Sequence, residues 1–343
     1  MEERDVLIIG GGISGIITAL ELAGAGIPTI LIEREASLGG LPASFSCKAS
    51  ETCNKCFACV VDRKVSELRS QQATSILTRT NLVGVRRNSG KYEVSLRTKK
   101  ERVELKVRAI VIATGVSPYD ASQKAEYGYG RYKNVVTTKD LDEMLRNRGS
   151  LSRPSDGRIP RNIAFFQCVG SRDASLGHLY CSEVCCAHTL RLIRALRHQY
   201  PEMKATFLYL DIQPAGASFQ TLLKSCREDG NIRLIRSLPS KVYPSSLQDT
   251  LRVRLTDPGG GEVVEEPFDL IVLSVGMVPQ KGTNSLGALL GLALTEDGFF
   301  ASPPPQTGLF VTGACSGPKD IDRSILHAKS TAFLVQDHLR GNL

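Results

Sequence analysis

Tryptophan is absent and aromatic residues make up only 6% of the 343-residue chain. That leaves little for base stacking and argues against a nucleic-acid platform. Long apolar runs are missing too. Stretches such as Ala109–Ala113 and Leu270–Val275 fall far short of the roughly 20 residues a membrane-spanning helix needs. No short-period repeat or low-complexity tract appears, and 42% hydrophobic with 23% charged residues excludes disorder, collagen and coiled coil. The N-terminus, Met1-Glu2-Glu3-Arg4-Asp5, enters a strand pattern at once, so a cytoplasmic chain without a signal peptide is expected. The length predicts two domains of ordinary size. Lys plus Arg exceed Asp plus Glu by 43 − 35 = 8, with clusters at Arg97–Lys100 and Arg191–Arg197. This reads as a solvated surface suited to an anionic cofactor or acidic partners. The ten cysteines are the unusual feature, and in a cytosolic chain they point to metal or redox chemistry before structural disulfides.

Asp5-Val6-Leu7-Ile8-Ile9 is a continuous apolar run, as expected of a strand buried on both faces of a parallel sheet. Gly10-Gly11-Gly12-Ile13-Ser14-Gly15 follows it directly, and Ile16 to Ala25 then has helical spacing. Gly10 allows a tight turn, Gly12 lets a diphosphate approach the backbone, and Gly15 permits close helix–strand packing. The helix start offers free N–H groups and a positive dipole end. A second strand pattern from Pro28 ends in Glu33, 18 residues after Gly15 (33 − 15), where an acid accepts from ribose hydroxyls. Strand, glycines, helix, strand and acid in this order predict a dinucleotide-binding domain.

The second half repeats the architecture without that motif. Asn162–Gln167 and Ala205–Leu210 read as buried strands with a helix, Val184 to His198, between them. Where a second glycine fingerprint would stand, the chain has Gln167-Cys168-Val169-Gly170-Ser171-Arg172-Asp173. The fold class expected is therefore α/β, with two Rossmann-like dinucleotide-binding domains and the first discontinuous: residues 1–150 and 293–343 around an inserted 151–292 module. Residues Leu151–Pro160 read as a linker.

Cys168, Cys181, Cys185 and Cys186 are spaced C-x12-C-x3-C-C. Soft thiolates around one loop and one helix start suit a [4Fe–4S] cube. The spacing is not that of a zinc ribbon, and the competing reading is four thiols packed in a core. Cys47, Cys53, Cys56 and Cys59 form a second group, C-x5-C-x2-C-x2-C. Three readings stay open for it: ligands of a second cluster, a redox-active Cys53/Cys56 pair, or inert thiols. Cys226 and Cys315 read as packing residues. No residue stands out for acid–base catalysis; His178 and His188 flank the cysteines but read as surface or packing side chains.

Glu33-Arg34-Glu35-Ala36-Ser37-Leu38-Gly39-Gly40 resembles the second glycine pair of the two-dinucleotide-domain flavoproteins, of which thioredoxin reductase is one, and favours FAD over NAD. Asn81-Leu82-Val83-Gly84-Val85 is similar to their strand passing the adenine, Ala113-Thr114-Gly115 to a turn near the flavin, and Gly308–Gly313 to the last FAD strand, before a helix from about Ser324 to Leu339. Asp269–Pro279 resembles the closing strand of their NAD(P)H domain. Gln167–Asp173 with Tyr180-Cys181-Ser182-x-x-Cys185-Cys186, and Gly317-Pro318-Lys319-Asp320-Ile321, resemble the signature of the A-type flavoprotein subunits of heterodisulfide reductase.

That resemblance implies FAD beside a [4Fe–4S] cluster. The FAD site would draw on Gly10, Gly12, Ile13, Ser14, Gly15, Glu33, Arg34, Gly40, Val83, Ala113, Thr114, Gly115, Gly313, Ile321, Asp322 and Ser324. The cluster would be held by Cys168, Cys181, Cys185 and Cys186. Methanogen-type subunits carry extra ferredoxin modules that this chain does not show, and the Asp that follows their last-strand glycine is replaced by Ala314-Cys315. The likeness is to the short forms in heterodisulfide reductase-like complexes of sulfur oxidisers. It implies an oxidoreductase subunit that passes electrons between flavin and cluster. Its implied partners are B- and C-type iron–sulfur subunits, and the isolated chain is expected as a homodimer, with no nucleic acid and no membrane span. Two readings compete with it: a free-standing NAD(P)H-dependent disulfide or sulfide oxidoreductase using Cys53 and Cys56, against which the lost glycine motif counts, and an assembly scaffold with inactive FAD.

Overall fold

The apolar runs fold into strands with no solvent-facing side, and these organise both halves of the chain. The computed structural model describes residues 2–213, 217–245, 249–257 and 259–341. The chain divides into two compact units, one formed by Met1–Ala43, Phe57–Ser117 and Val278–Leu343, the other by Ser44–Cys56 and Pro118–Met277.

The first unit opens with β1 (Val6–Ile9), α1 (Ile13–Gly24), β2 (Thr29–Ile32), α2 (Ala58–Arg69) and β3 (Thr74–Leu77). An antiparallel meander follows, β4 (Asn81–Asn88), β5 (Lys91–Arg97) and β6 (Arg102–Val107), then β7 (Ala109–Ile112). In the second unit come β8 (Val135–Thr137), α3 (Thr138–Arg148), β9 (Asn162–Val169), α4 (Cys185–Gln199), β10 (Lys204–Leu208), α5 (Ala217–Glu228) and β11 (Ile232–Ile235). Its second sheet is the antiparallel β12 (Lys241–Pro244), β13 (Leu251–Thr256) and β14 (Val263–Phe268), before β15 (Leu270–Val275). The chain re-enters the first unit with α6 (Thr283–Leu290), β16 (Leu309–Val311) and α7 (Ile321–Arg340).

The first unit's main sheet has the parallel order β16-β7-β1-β2-β3. β1 is fully buried because side chains cover both its faces. Val6 and Ile8 meet Ile16, Ala19 and Leu22 of α1, while Leu7 and Ile9 meet Val94, Leu96 and Leu105 of the meander. The strand order reverses between β1 and β7, the point at which such sheets open a ligand crevice at their carboxyl ends.

The second unit's parallel sheet has the order β8-β15-β9-β10-β11. Ile163, Phe165, Leu190, Ile193, Phe207 and Val272 pack its core. α3 starts on a complete capping box between Thr137 and Asp140, which satisfies N–H groups at the helix start.

The units divide at 117/118 and 277/278 rather than at 150 and 292, because β8 pairs with β15 and α3 packs beside it. The segment Ser44–Cys56, expected within the first domain, groups with the second unit. α7 begins at Ile321, three residues before the expected Ser324, because the Asp320 carboxylate caps it by accepting from Arg323 N–H at 2.8 Å. Among the described residues no helix is long and apolar enough to cross a membrane.

Candidate functional site

In the first unit, the glycines stand where another residue could not. Gly10 has φ +110°, and a Cβ there would lie 2.4 Å from the Ala113 carbonyl oxygen. A Cβ on Gly15 would meet the Gly10 oxygen at 1.9 Å, so β1 and α1 approach more closely than any other residue allows. Gly12 differs: a Cβ there meets nothing within 4 Å, and no side chain caps the helix it starts. Open space beside Gly12 and a helix start without a side-chain cap together suit a phosphate. Gly40 lies against Gly12, its Cβ position 3.1 Å from the Gly12 α-carbon, and Gly39 N–H donates to the Gly11 oxygen at 2.8 Å.

Glu33 ends β2 with only 8% exposure. Its Oε2 accepts from Gly11 N–H at 2.7 Å and its Oε1 from Glu35 N–H at 2.8 Å. Each carboxylate oxygen thus keeps acceptor capacity for a ligand hydroxyl. Arg34 donates to Gln280 Oε1 at 2.9 Å. A cavity of about 270 Å³ opens here, lined by Gly10, Glu33, Arg34, Asn81, Leu82 and Thr114 among others, with the start of α6. Val83 falls in the bulge between Leu82 and Gly84, so its two predecessors line the cavity instead. Gly313, with φ +73°, sits against Ser14 and donates its N–H to His327 Nδ1 at 3.1 Å. Burial, then Lys319, lowers the His327 pKa, consistent with an unprotonated Nδ1 accepting that bond. Ile321, Asp322 and Ser324 occupy the first turn of α7; Ser324 is buried and the other two are more exposed. Ala113, Thr114 and Gly115 follow β7, beside Gly10. Ile13 and Ser14 open α1 and are both buried.

In the second unit, β9 loses register between Phe166 and Val169, and Cys168 within that irregularity has φ +58°. Gly170 follows with φ +80°, facing the Tyr119 ring so closely that a Cβ would overlap it. The loop then returns through His178, whose Nδ1 lies 3.0 Å from the Gly170 oxygen. Tyr180 donates to the Met277 oxygen at 2.9 Å, and Met277 N–H donates to Ser182 Oγ at 2.8 Å. Cys181 Sγ accepts from Glu183 N–H at 3.3 Å, with Glu183 also at positive φ (+59°). Cys185 opens α4, its Sγ 3.7 Å from the Val275 oxygen.

The loop and helix start therefore bring the thiols of Cys168, Cys181, Cys185 and Cys186 into one another's electrostatic reach. Burial pushes the Cys168 thiol up to about 11, with Cys186 adding to the shift and Arg172 opposing it. Burial and the neighbouring thiols also raise Cys185, and burial raises Cys186. Such thiols stay protonated unless a bound cation stabilises their anions. Among the described residues no three His, Cys, Asp or Glu side chains are drawn together tightly enough to hold a metal ion already. Gln167, beside Cys168 and 2% exposed, has neither side-chain nitrogen nor oxygen partnered.

Of the second cysteine group, Cys47, Cys53 and Cys56 lie in the second unit and Cys59 in the first. Cys47, Cys53 and Cys59 are exposed, Cys56 is partly so, and all are free. Cys226 and Cys315 are buried, as expected of packing residues. Around that segment stand Ser46, Lys48, Asp142 and Arg191, none of which the sequence motifs single out. No local pattern marks them, because they meet only through the fold.

Residues 4–150 match the pyridine nucleotide-disulphide oxidoreductase family. The chain is 30% identical to one of the iron–sulfur A subunits of CoB–CoM heterodisulfide reductase from Methanopyrus kandleri, over 95% of this chain and 63% of that protein. It is also 30% identical to the A-type polypeptide of the ferredoxin/F420H2-dependent CoB–CoM heterodisulfide reductase of Methanosarcina acetivorans, over 98% of this chain and 53% of that one. The chain thus spans between half and two thirds of the length of these relatives. Among solved structures it resembles the thioredoxin reductase of T. acidophilum (TM-score 0.67, 13% identity, 99% of this chain and 100% of that one). The Lactococcus lactis enzyme is similar too (TM-score 0.65, 17% identity, 98% and 99%). The chain is therefore similar, over nearly all of its own length, to A-type subunits of heterodisulfide reductases, and it shares the fold of the thioredoxin reductases.

Proposed function

We propose that the protein is an FAD- and [4Fe–4S]-containing electron-transfer subunit of a heterodisulfide reductase-like complex in sulfur metabolism. The observation that carries this reading is the gathering of Cys168, Cys181, Cys185 and Cys186 where the second unit would otherwise need a glycine turn for a nicotinamide nucleotide. The first unit fits FAD on its own geometry: room above Gly12, an uncapped α1, and a buried Glu33 with acceptor capacity to spare. The second unit suits an iron–sulfur centre by donor chemistry: four soft sulfurs lie within electrostatic reach of one another, and the one carboxylate acting on Cys168 and Cys186, that of Asp211, is paired with Arg172.

When bound, the flavin and the cluster together supply conversion between two-electron and one-electron transfer. The chain's own residues bind and tune. The α1 N–H groups hold the diphosphate, Glu33 takes the ribose hydroxyls, and the second-unit backbone aims the four sulfurs. Glu183 N–H donates to Cys181 sulfur, and such bonds raise the potential of a thiolate-held cluster. The partners in this reading are B- and C-type iron–sulfur subunits, the isolated chain is a homodimer, and the complex is cytoplasmic.

The test is anaerobic iron, acid-labile sulfide and flavin analysis of the purified protein. About four irons and one FAD per chain are expected, with iron lost and FAD kept in Cys185→Ser. FAD without iron after anaerobic reconstitution would sink the cluster.

A further inference from the structure

A buried charged cluster holds an otherwise exposed segment in the second unit. Lys48 (1% exposed) and Asp142 (0%) pair at 2.8 Å. Asp142 Oδ1 also accepts from Ser46 N–H at 2.9 Å and Ser46 Oγ–H at 2.7 Å, and His188 Nε2 lies 2.8 Å from Oδ2. Lys48 Nζ donates to the Ser46 oxygen at 3.1 Å and sits 5.1 Å from the centre of the Phe45 ring. Taking two charges out of water is costly, and the best-attested return is one specified arrangement of the chain.

The arrangement specified is that of Ser44–Cys56, the strap that carries Cys47, Cys53 and Cys56. Asn54, between the last two, donates from Nδ2 to the Lys48 oxygen at 2.7 Å, and its own carbonyl accepts from Arg191 Nε at 2.9 Å. Arg146 of α3 donates to the Phe45 oxygen at 3.0 Å. His188 and Arg191 both stand on α4, the helix that opens with Cys185 and Cys186. In Cys53-Asn54-Lys55-Cys56 the third residue has φ +48°, and Phe57 just beyond has φ +60°. Non-glycine residues in this region persist where their surroundings force them, and they cluster at functional sites. A left-handed residue at the third of four positions is also how a turn brings its first and fourth residues together. The two thiols at those ends are free and accessible.

We propose that Cys53 and Cys56 are a second thiol site, a dithiol that exchanges with a disulfide, and that the Lys48–Asp142–His188 cluster anchors it. Cys53, its proton given to solvent, attacks one sulfur of the disulfide; that S–S bond breaks, a mixed disulfide forms, and one thiolate departs. Cys56, also deprotonated, attacks the Cys53 sulfur, closes the Cys53–Cys56 bond and releases the second thiolate. Two electrons pass from the pair to the disulfide, and the two departing thiolates take up two protons. Neither flavin nor iron takes part, so this inference goes beyond the cofactor reading and stands independently of it.

The experiment equilibrates the purified chain anaerobically in glutathione redox buffers and, separately, with oxidised thioredoxin. Alkylation, peptide mapping and intact native mass follow. A linked Cys53–Cys56 peptide with one two-electron midpoint is expected, absent in Cys53→Ser and Cys56→Ser. Linkage with glutathione identifies a small disulfide as sufficient; linkage with thioredoxin alone identifies a protein disulfide. Asn54→Ala removes one clamp without touching the buried charges, and it should move the exchange equilibrium about tenfold, close to 30 mV for a two-electron couple. No linked peptide in either arm, or Cys53 and Cys56 shielded from alkylation with a metal retained in the native mass, would overturn the thiol site. An unmoved midpoint in Asn54→Ala would overturn the coupling of the pair to the anchor through the Asn54–Lys48 hydrogen bond.

Discussion

Replacing Asp142 with alanine should be the most damaging single truncation of a charged residue in the second unit. The change removes the Lys48 pair, both Ser46 hydrogen bonds and the His188 contact at once. It leaves the Lys48 ammonium, 1% exposed, with the Ser46 carbonyl and the Phe45 ring. Breaking a buried pair by removing one partner costs about 3–5 kcal/mol. At ~2–4 °C per kcal/mol for a domain of this size, Tm should fall by about 10 °C. The double variant Lys48→Met/Asp142→Leu should recover most of that loss, because apolar replacement of both partners strands no charge. The acid limb follows from the same site. Burial alone would raise the Asp142 carboxyl, but His188 and Lys48 beside it hold it well below the usual carboxylate range. A folded-state pKa below the unfolded one means that the stabilisation is complete above the unfolded value, about 4. It fades as pH falls through that value and towards the folded one. The advantage of wild type over Asp142→Ala should therefore shrink below about pH 4. Urea unfolding of the three proteins at pH 7 and pH 3.5 reads both effects. A single variant within 1 kcal/mol of wild type at pH 7, or a double variant as unstable as the single, would refute the assignment of a buried ion pair.

Gly12→Ala and Gly15→Ala should separate ligand space from packing space. The first meets nothing within 4 Å, so it should fold with near-normal Tm yet retain little flavin at 450 nm. The second collides with the Gly10 carbonyl at 1.9 Å and should lose flavin and stability together; equal Tm losses would contradict the distinction. Gly276→Ala would place a methyl 2.8 Å from the Ser171 Cβ and 2.9 Å from Ser182 Oγ, squeezing the loop between Cys168 and Cys185. It should lower reconstituted iron several-fold while FAD content, read from the same sample, stays level.

The glycine turn and the parallel sheets were legible in the sequence because they rest on local rules. A strand buried on both faces must be apolar throughout, as Val6–Ile9 is, and a backbone passing within 2.4 Å of a would-be Cβ must use glycine, as Gly10 does. The four cysteines were legible by spacing alone, which told nothing of the positive φ at Cys168 or the hydrogen bond on Cys181 sulfur. Three-residue β8 carries too short an apolar signal to be assigned to a sheet, yet its pairing with β15 decides where the units divide. The strap was illegible for a stronger reason. Hydropathy sends a lysine to the surface, and Lys48 is buried only because Asp142, 94 residues away, meets it. Pairs of that separation leave no periodic trace, since each partner looks like an ordinary surface charge in its own segment. Their burial is nevertheless what assigns Cys47, Cys53 and Cys56 to the unit that holds Cys168, Cys181, Cys185 and Cys186. Cys47, Cys53 and Cys56, more than a hundred residues before Cys168 in the sequence, thus share its unit through a charge pair that contains no cysteine.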